Sequence, residues 1–369
     1  MRHKKICLLI LMVSLAFTSG CWDEKLIKDT SFALSVGYDK KDGKLIGTYG
    51  TPASPVYPQS GIITTVHGHT VRELSLLAND KVVEIMDTSK IKVVLFGEKT
   101  AKEDGIYPYL DIFVRAPYNP INPYLMVVDG EAKSYITADI PNEKIPGNYY
   151  AKVIKAHVKS GVLPHVNLLK GSRIFHNKGY DLLVPYFMKS KDKTPVLDGL
   201  AVFKDDKYTG QHLNSPESML YNLMNKNNSK SQPNIVVKTA AGNKPHIKNY
   251  VTVTVLKSKR KMDVHIKNGK VAGKIKLHLD VEVIESPKYN VAKKEEYLKK
   301  KISEDLTKKA NKVIKKLQKA DSDGLGIGQQ LHSFEYDQFK RLKWKDGAYR
   351  EADIKAVVDV TIKKHGLID

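Results

Sequence analysis

Over residues 275–283 the chain alternates without a break: Ile275, Leu277, Leu279, Val281 and Val283 against Lys276, His278, Asp280 and Glu282. Successive side chains of a strand point to opposite faces, so this stretch reads as a strand with one buried and one wet face. Upstream, Val251, Val253 and Val255 alternate with Thr252 and Thr254. Asn268-Gly269 lies between the two and marks a tight antiparallel hairpin, because both residues tolerate positive φ. Near the end of the chain Ile354, Ala356, Val358, Val360 and Ile362 repeat the period. The apolar face of such a sheet needs a cover. A helix over 291–319 supplies one, with Leu298, Ile302, Leu306, Ala310, Val313 and Leu317 on a single stripe that is expected to pack on strand 275–283. A shorter helix over 329–341 precedes the last strand.

The first half mixes elements in the same way. Strands are expected over 31–38, 45–49, 91–97, 124–128 and 182–188, with a turn at 41–44 and a Pro-rich loop at 51–58. Thr70 and Glu73 form a capping box opening a helix whose Val71, Leu74, Leu77, Ala78, Val82 and Ile85 share a face. Further helices are expected over 109–115 and 148–160. The charged, Pro-ending stretch 189–195 reads as the domain boundary. Beyond it, strands 197–203 and 208–213 form a hairpin, Ser215 caps a helix, and 226–232 is a polar connection. No regular βαβ rhythm runs through either half. The expected fold class is therefore α+β: several small mixed domains, largely antiparallel sheets with packed helices. The division is 1–20 leader, 21–195 N-terminal region, possibly two subdomains, and 196–369 C-terminal domain.

The first residues form a leader: a basic head at 1–5, an oily run at 6–17, then Thr18-Ser19-Gly20 and Cys21. A run of twelve residues, Ser14 among them, is too short to span a bilayer, which takes about 20 apolar residues. The exit resembles the lipobox of bacterial lipoproteins, with Thr18 where such boxes usually carry Leu. That resemblance implies cleavage before Cys21 and a diacylated thiol there. Cys7 leaves with the leader, so Cys21 is the one remaining thiol and no internal disulfide is open to the mature chain. Arg2, Lys4 and Lys5 leave too, and no acid does, which lowers the net charge from +21 to about +18. Such a charge favours anionic partners. For an exported, lipid-anchored chain these are acidic lipid headgroups or wall polymers, not nucleic acid.

Four groups of residues carry a more specific resemblance. They are Gly20-Cys21-Trp22-Asp23 with Val36-Gly37-Tyr38-Asp39; 92–98 (KVVLFGE) with Leu110-Asp111 and Arg115; 198–204 (DGLAVFK) closing at Gly210; and 316–318 with 321–328 (DSDGLGIG) and Trp344. In this order and spacing the chain resembles the Ger(x)C family, the lipoprotein subunit of spore germinant receptors. The resemblance implies an α/β protein of several small domains, anchored through Cys21 on the outer face of the spore inner membrane. It implies two integral membrane subunits as partners, no enzymatic activity and no cofactor beyond the covalent lipid.

Motifs of other chemistries fail. Asp321-Ser322-Asp323-Gly324 begins like a calcium loop, but His332 stands at the twelfth position, where a bidentate Glu belongs. Gly324, Gly326 and Gly328 read better as the end of one helix and the turn into the next. His67 and His69 lack a third metal ligand at fixed spacing. No nucleophile elbow or phosphate loop occurs, which disfavours an exported wall hydrolase. A lipid-anchored solute-binding protein of a transporter is the alternative; it would need two doubly wound lobes. The long helix also carries lysines off its apolar stripe. Lys308, Lys312, Lys315 and Lys316 are the candidate docking face for acidic lipid or a partner, or else a solvated surface.

Overall fold

The computed structural model describes residues 29–52, 61–115, 119–141, 143–225, 231–240 and 246–365, together with Ile6. The chain opens with β1 (Thr30–Phe32), β2 (Ser35–Lys41), β3 (Lys44–Thr51) and β4 (Ile62–Gly68). Then come α1 (Val71–Asn79), β5 (Ile85–Asp87), β6 (Val93–Gly97), α2 (Glu98–Glu103), α3 (Tyr107–Arg115) and β7 (Tyr124–Val128). After α4 (Lys133–Ile136), α5 (Pro146–Lys159) and α6 (Leu168–Phe175) follow β8 (Leu183–Lys189), β9 (Pro195–Lys204) and β10 (Lys207–Asn214). These build an eight-stranded sheet in the order β10-β9-β8-β7-β6-β2-β3-β4.

Its centre, β2-β6-β7-β8, is parallel, and antiparallel hairpins flank it on both sides. The centre has continuous apolar runs, VVLFG in β6 and YLMVV in β7, because both faces are covered. Val93, Leu95, Met126 and Val128 face one core; Val94, Phe96, Leu125 and Val127 face the other. Alternation cannot appear in such strands, and pairing direction is not written in them.

Several local expectations shift. The strand expected over 31–38 breaks at Ala33-Leu34, where Ala33 N–H donates to Asp87 O and Leu34 N–H to Gly50 O. β1 consequently pairs with β5 outside the main sheet. Helix α1 stops at Asn79, whose side chain accepts from Met86 N–H at 2.9 Å, so Val82 and Ile85 never join its buried face. Thr70 does accept from Glu73 N–H, but Glu73 returns its carboxylate to His69 N–H at 2.6 Å, one residue before the cap. The loop at 51–58 and the polar connection at 226–232 lie largely outside the described residues.

α7 (Ser215–Met224) is capped by Asn214, not Ser215. Asn214 Oδ1 accepts from Glu217 N–H at 3.0 Å, and Glu217 accepts from Asn214 N–H at 3.1 Å, a reciprocal box. The stretch 189–195 is the turn of the β8–β9 hairpin, with Lys189 paired to Pro195. One sheet therefore runs across the expected boundary, and sheet membership changes only after α7.

The second sheet has the order β11-β12-β13-β14, from β11 (Asn234–Lys238), β12 (Tyr250–Lys267), β13 (Lys270–Glu285) and β14 (Asp353–Lys364). Asn268 and Gly269 form the hairpin turn with φ of 53° and 72°. Between β13 and β14 lie α8 (Glu295–Lys319), α9 (Ile327–Phe334), α10 (Tyr336–Arg341) and α11 (Ala348–Glu351), and β14 returns parallel to β13. The expected helix over 329–341 is split at Glu335, which leaves helical geometry and accepts from Ile266 N–H of β12 at 3.1 Å. All six stripe residues of α8 are buried, with Ile314 beside them. Two polar side chains of the same helix close the free edge of β14. Asn311 exchanges hydrogen bonds with Ala356 N–H (2.9 Å) and C=O (2.8 Å), and Thr307 does so with Val358 (3.0 and 3.3 Å). These bonds occupy two successive outward-facing positions of the edge, Ala356 and Val358. One apolar core runs from the α5 face of the first sheet, past α7, into the space between α8 and the second sheet. The architecture is α+β; two doubly wound lobes around a cleft are absent among the described residues.

Candidate functional site

The residues with the strongest sequence signal converge on buried carboxylates. Helix α8 ends at Lys319, and the next residues close it. Asp321 N–H donates to Gln318 O and Ser322 N–H to Leu317 O, with Asp321 at φ 52°. This pair of bonds is a Schellman helix end, with Asp where Gly is usual. The glycines do mark the turn: Gly326 takes φ 71° at the head of α9. The residue that ends the helix is Asp321.

Asp323 is the hub. Its Oδ1 accepts from Ile327 N–H at 2.9 Å; its Oδ2 accepts from Gly328 N–H at 2.6 Å and from the Trp344 indole N–H at 3.1 Å. Its backbone pairs with Asp181, from just before β8: Asp181 N–H donates to Asp323 O at 3.0 Å, and Asp323 N–H to Asp181 Oδ2 at 2.7 Å. Asp181 Oδ1 accepts from Asp205 N–H at 3.0 Å in the β9–β10 turn. Lys345 pairs with Asp205 and lies 3.8 Å from Asp181; Lys204 pairs with Asp321, and Arg350 stands 3.5 Å from it. Burial pushes Asp323 up to about 7, aided by the Asp181 charge and opposed by its three N–H donors. Burial raises Asp181 as well.

This geometry is a clamp. Asp321 Oδ1 is buried without a hydrogen-bond partner among the described residues, and no group of three His, Cys, Asp or Glu side chains placed to hold a metal occurs among them. A smaller clamp sits at the other end of the molecule. Asp39 accepts from Ala132 and Lys133 N–H at 2.8 and 2.9 Å, and a Cβ on Gly97 would lie 2.1 Å from the Asp39 carboxylate. His67 and His69 are exposed, and His69 pairs with Glu73 at 3.3 Å.

Of the candidate docking lysines, Lys308, Lys312 and Lys315 are exposed on α8. Lys316 is different: its ammonium lies 2.5 Å from Glu217, the buried carboxylate of the α7 capping box, with Lys312 at 3.9 Å. It joins two helices and drops out of any freely reversible surface. Cys21 lies outside the described residues.

The hub draws together strand 198–204, loop 321–328 and Trp344, three separate parts of the recognised pattern. The Spore germination protein N-terminal domain matches residues 23–189, and the Spore germination B3/GerAC-like C-terminal domain matches 198–366. The chain belongs to the Ger(x)C family of spore germination proteins. It is 25% identical to YfkR of Bacillus subtilis (strain 168), over 98% of this chain and 97% of that one. It is 23% identical to Spore germination protein GerQC of Bacillus cereus, over 98% and 99%. The crystal structure of the GerBC protein shares its fold, with a TM-score of 0.59 at 18% identity, covering 89% of this chain and 96% of that one. Asp181 and Asp323 thus belong to different matched regions, and the hub adds a polar link to the β8–β9 ladder that already joins them.

Proposed function

We propose that this Ger(x)C protein is the membrane-anchored lipoprotein subunit of a spore nutrient germinant receptor. It acts without catalysis, by assembly with two integral membrane subunits, and sits on the outer face of the spore inner membrane. The observation that carries the reading is positional. The matched region begins at residue 23, two residues after the Cys21 at which the lipobox-like leader ends. No helix among the described residues is long and apolar enough to cross a membrane. A diacylated Cys21 would confine the body to the membrane plane and raise its effective concentration near embedded partners. Two acyl chains hold stably where one binds only marginally, at about 0.8 kcal/mol per buried CH₂.

Cys21→Ala is expected to move the protein from the membrane fraction to the soluble fraction, or to leave it uncleaved. Mass spectrometry of the mature N-terminus decides the point, and an unmodified Cys21 in the native protein would refute the anchor. Partner assembly is tested by co-purification of membrane subunits from detergent-solubilised spore membranes.

The exposed lysines of α8 supply a docking face under the same reading, each worth about 1 kcal/mol near an anionic surface. Lys308→Glu and Lys315→Glu together are expected to keep the melting temperature within a few degrees while lowering partner recovery and slowing germination. Lys312 and Lys316 are left intact, because a Glu at either would face buried Glu217. Unchanged recovery and germination would assign these lysines to solvation alone.

A further inference from the structure

A second feature has no counterpart in any motif. A cleft of about 460 Å³ opens between α6 with Tyr180 on one side and β12 with α9 on the other. That is within the range that holds small ligands. Three cations line it, Lys170, Arg173 and Arg260, and no carboxylate does. Arg260 lies on the face of β12 that the alternation turns inward, beside Met262. Its Nη2 meets Met262 Sδ at 2.9 Å and Leu325 O at 3.5 Å, while its Nε is buried with no hydrogen-bond partner among the described residues. The Lys170 ammonium donates to His165 O, at 3.2 Å, and pairs with no carboxylate among the described residues. The carboxylate behind Arg260, Asp323, is already engaged with Ile327, Gly328 and Trp344. Desolvation lowers the pKa of both Lys170 and Arg260, opposed at Arg260 by the charge of Asp323 outside the cleft.

Partly buried cations without an acid are expensive to keep, and a planar guanidinium is suited to two-oxygen recognition of carboxylate or phosphate. The rest of the lining fits a small organic body: Ile174, Leu325 and Phe334 are apolar, and Asn177, Gln329 and Gln330 carry neutral donors. We propose that this cleft binds a small organic anion through a carboxylate or phosphate group held by Arg260, Lys170 and Arg173. Because α6 belongs to one matched region and β12 and α9 to the other, the ligand would bridge them beside the Asp181–Asp323 clamp. Binding to the folded protein then stabilises it against unfolding, which gives a direct readout.

The full-length, detergent-solubilised protein is titrated with succinate and with inorganic phosphate at constant ionic strength set by NaCl. Short-chain phosphatidic acid in a parallel titration distinguishes a lipid headgroup from a free anion. A saturable rise in melting temperature with succinate or phosphate is expected. Arg260→Gln should weaken the apparent affinity about tenfold, roughly 1.4 kcal/mol, and Lys355→Gln on the far sheet face should leave it unchanged. If Arg260→Gln does not fold, Arg173→Gln and Lys170→Met make the same comparison. A response to phosphatidic acid alone reassigns the cleft to lipid and overturns the soluble ligand. No saturable response beyond NaCl, or one that every cleft variant retains, overturns the site.

Discussion

Asp323→Ala is expected to lower the unfolding free energy by about 4 kcal/mol, read as a fall in the denaturant midpoint of the purified protein. The carboxylate satisfies Ile327 N–H, Gly328 N–H and the Trp344 indole N–H, all inside the fold. Each donor left without an acceptor costs about 1–3 kcal/mol, and relief of the Asp181 repulsion returns part of the sum. Asp323→Asn keeps one acceptor oxygen and should cost less. The pH dependence separates the two effects. The folded-state pKa stands near 7 and the unfolded one near ~4, so the native state binds the extra proton between those values. The contribution of Asp323 is full below the lower value and falls as pH rises through the upper one. Asn does not titrate. The melting-temperature gap between wild type and Asp323→Asn should therefore narrow between about pH 5 and pH 8. A gap that stays constant over that range would mean that the three donors, not burial, set the charge state.

The second sheet was the most legible part of the molecule. A one-sided sheet and an amphipathic helix write their burial into the sequence at periods of 2 and 3.6, and the α8 stripe and the 275–283 alternation appear in the structure as read. Half of β12 was not legible. Lys257, Lys259 and Lys261 hide the strand behind charge, although Ser258, Arg260, Met262 and Val264 keep its inner face through a bulge near Val255. The parallel centre of the first sheet was unreadable for the opposite reason, since β6 and β7 are apolar on both faces. Short helices such as α2, α4 and α6 make too few turns to show a period.

The candidate site divides along similar lines. The loop 321–328 and Trp344 stood out as pattern, but pattern did not say that Asp323 would bind Trp344 or that Asp181 would answer it from 142 residues away. Lys316 looked equivalent to Lys312 on a helical wheel, and only the packing of α7 against α8 makes it a partner of Glu217. The cleft at Arg260 had no signal, because Lys170 and Arg260 meet through tertiary structure and their alignment obeys no local period. Long-range polar contacts are what a single sequence conceals most completely.

Gly179→Ala is expected to be strongly damaging, although the glycine has an ordinary backbone conformation. Gly179 lies against the backbone of the other matched region: an added Cβ would stand 2.3 Å from Gln329 N and 2.3 Å from Gly328 C. Neither atom belongs to a side chain that can turn away. Gln329 N–H also donates to Gly179 O at 2.8 Å, so the close approach and the hydrogen bond are one contact. Separating the strands of backbone costs the packing, about 1–3 kcal/mol or more, and the bond, about 1 kcal/mol. It also shifts Asp181, two residues on, relative to Asp323. The expected loss is about 4 kcal/mol, measured by chemical denaturation beside Gly269→Ala as control. Gly269 has φ 72° and open space around it, so Ala there pays only for the left-handed backbone, about 1–2 kcal/mol. Equal losses at the two sites would show that the backbone at Gly179 yields to a Cβ without disturbing the Asp181–Asp323 clamp.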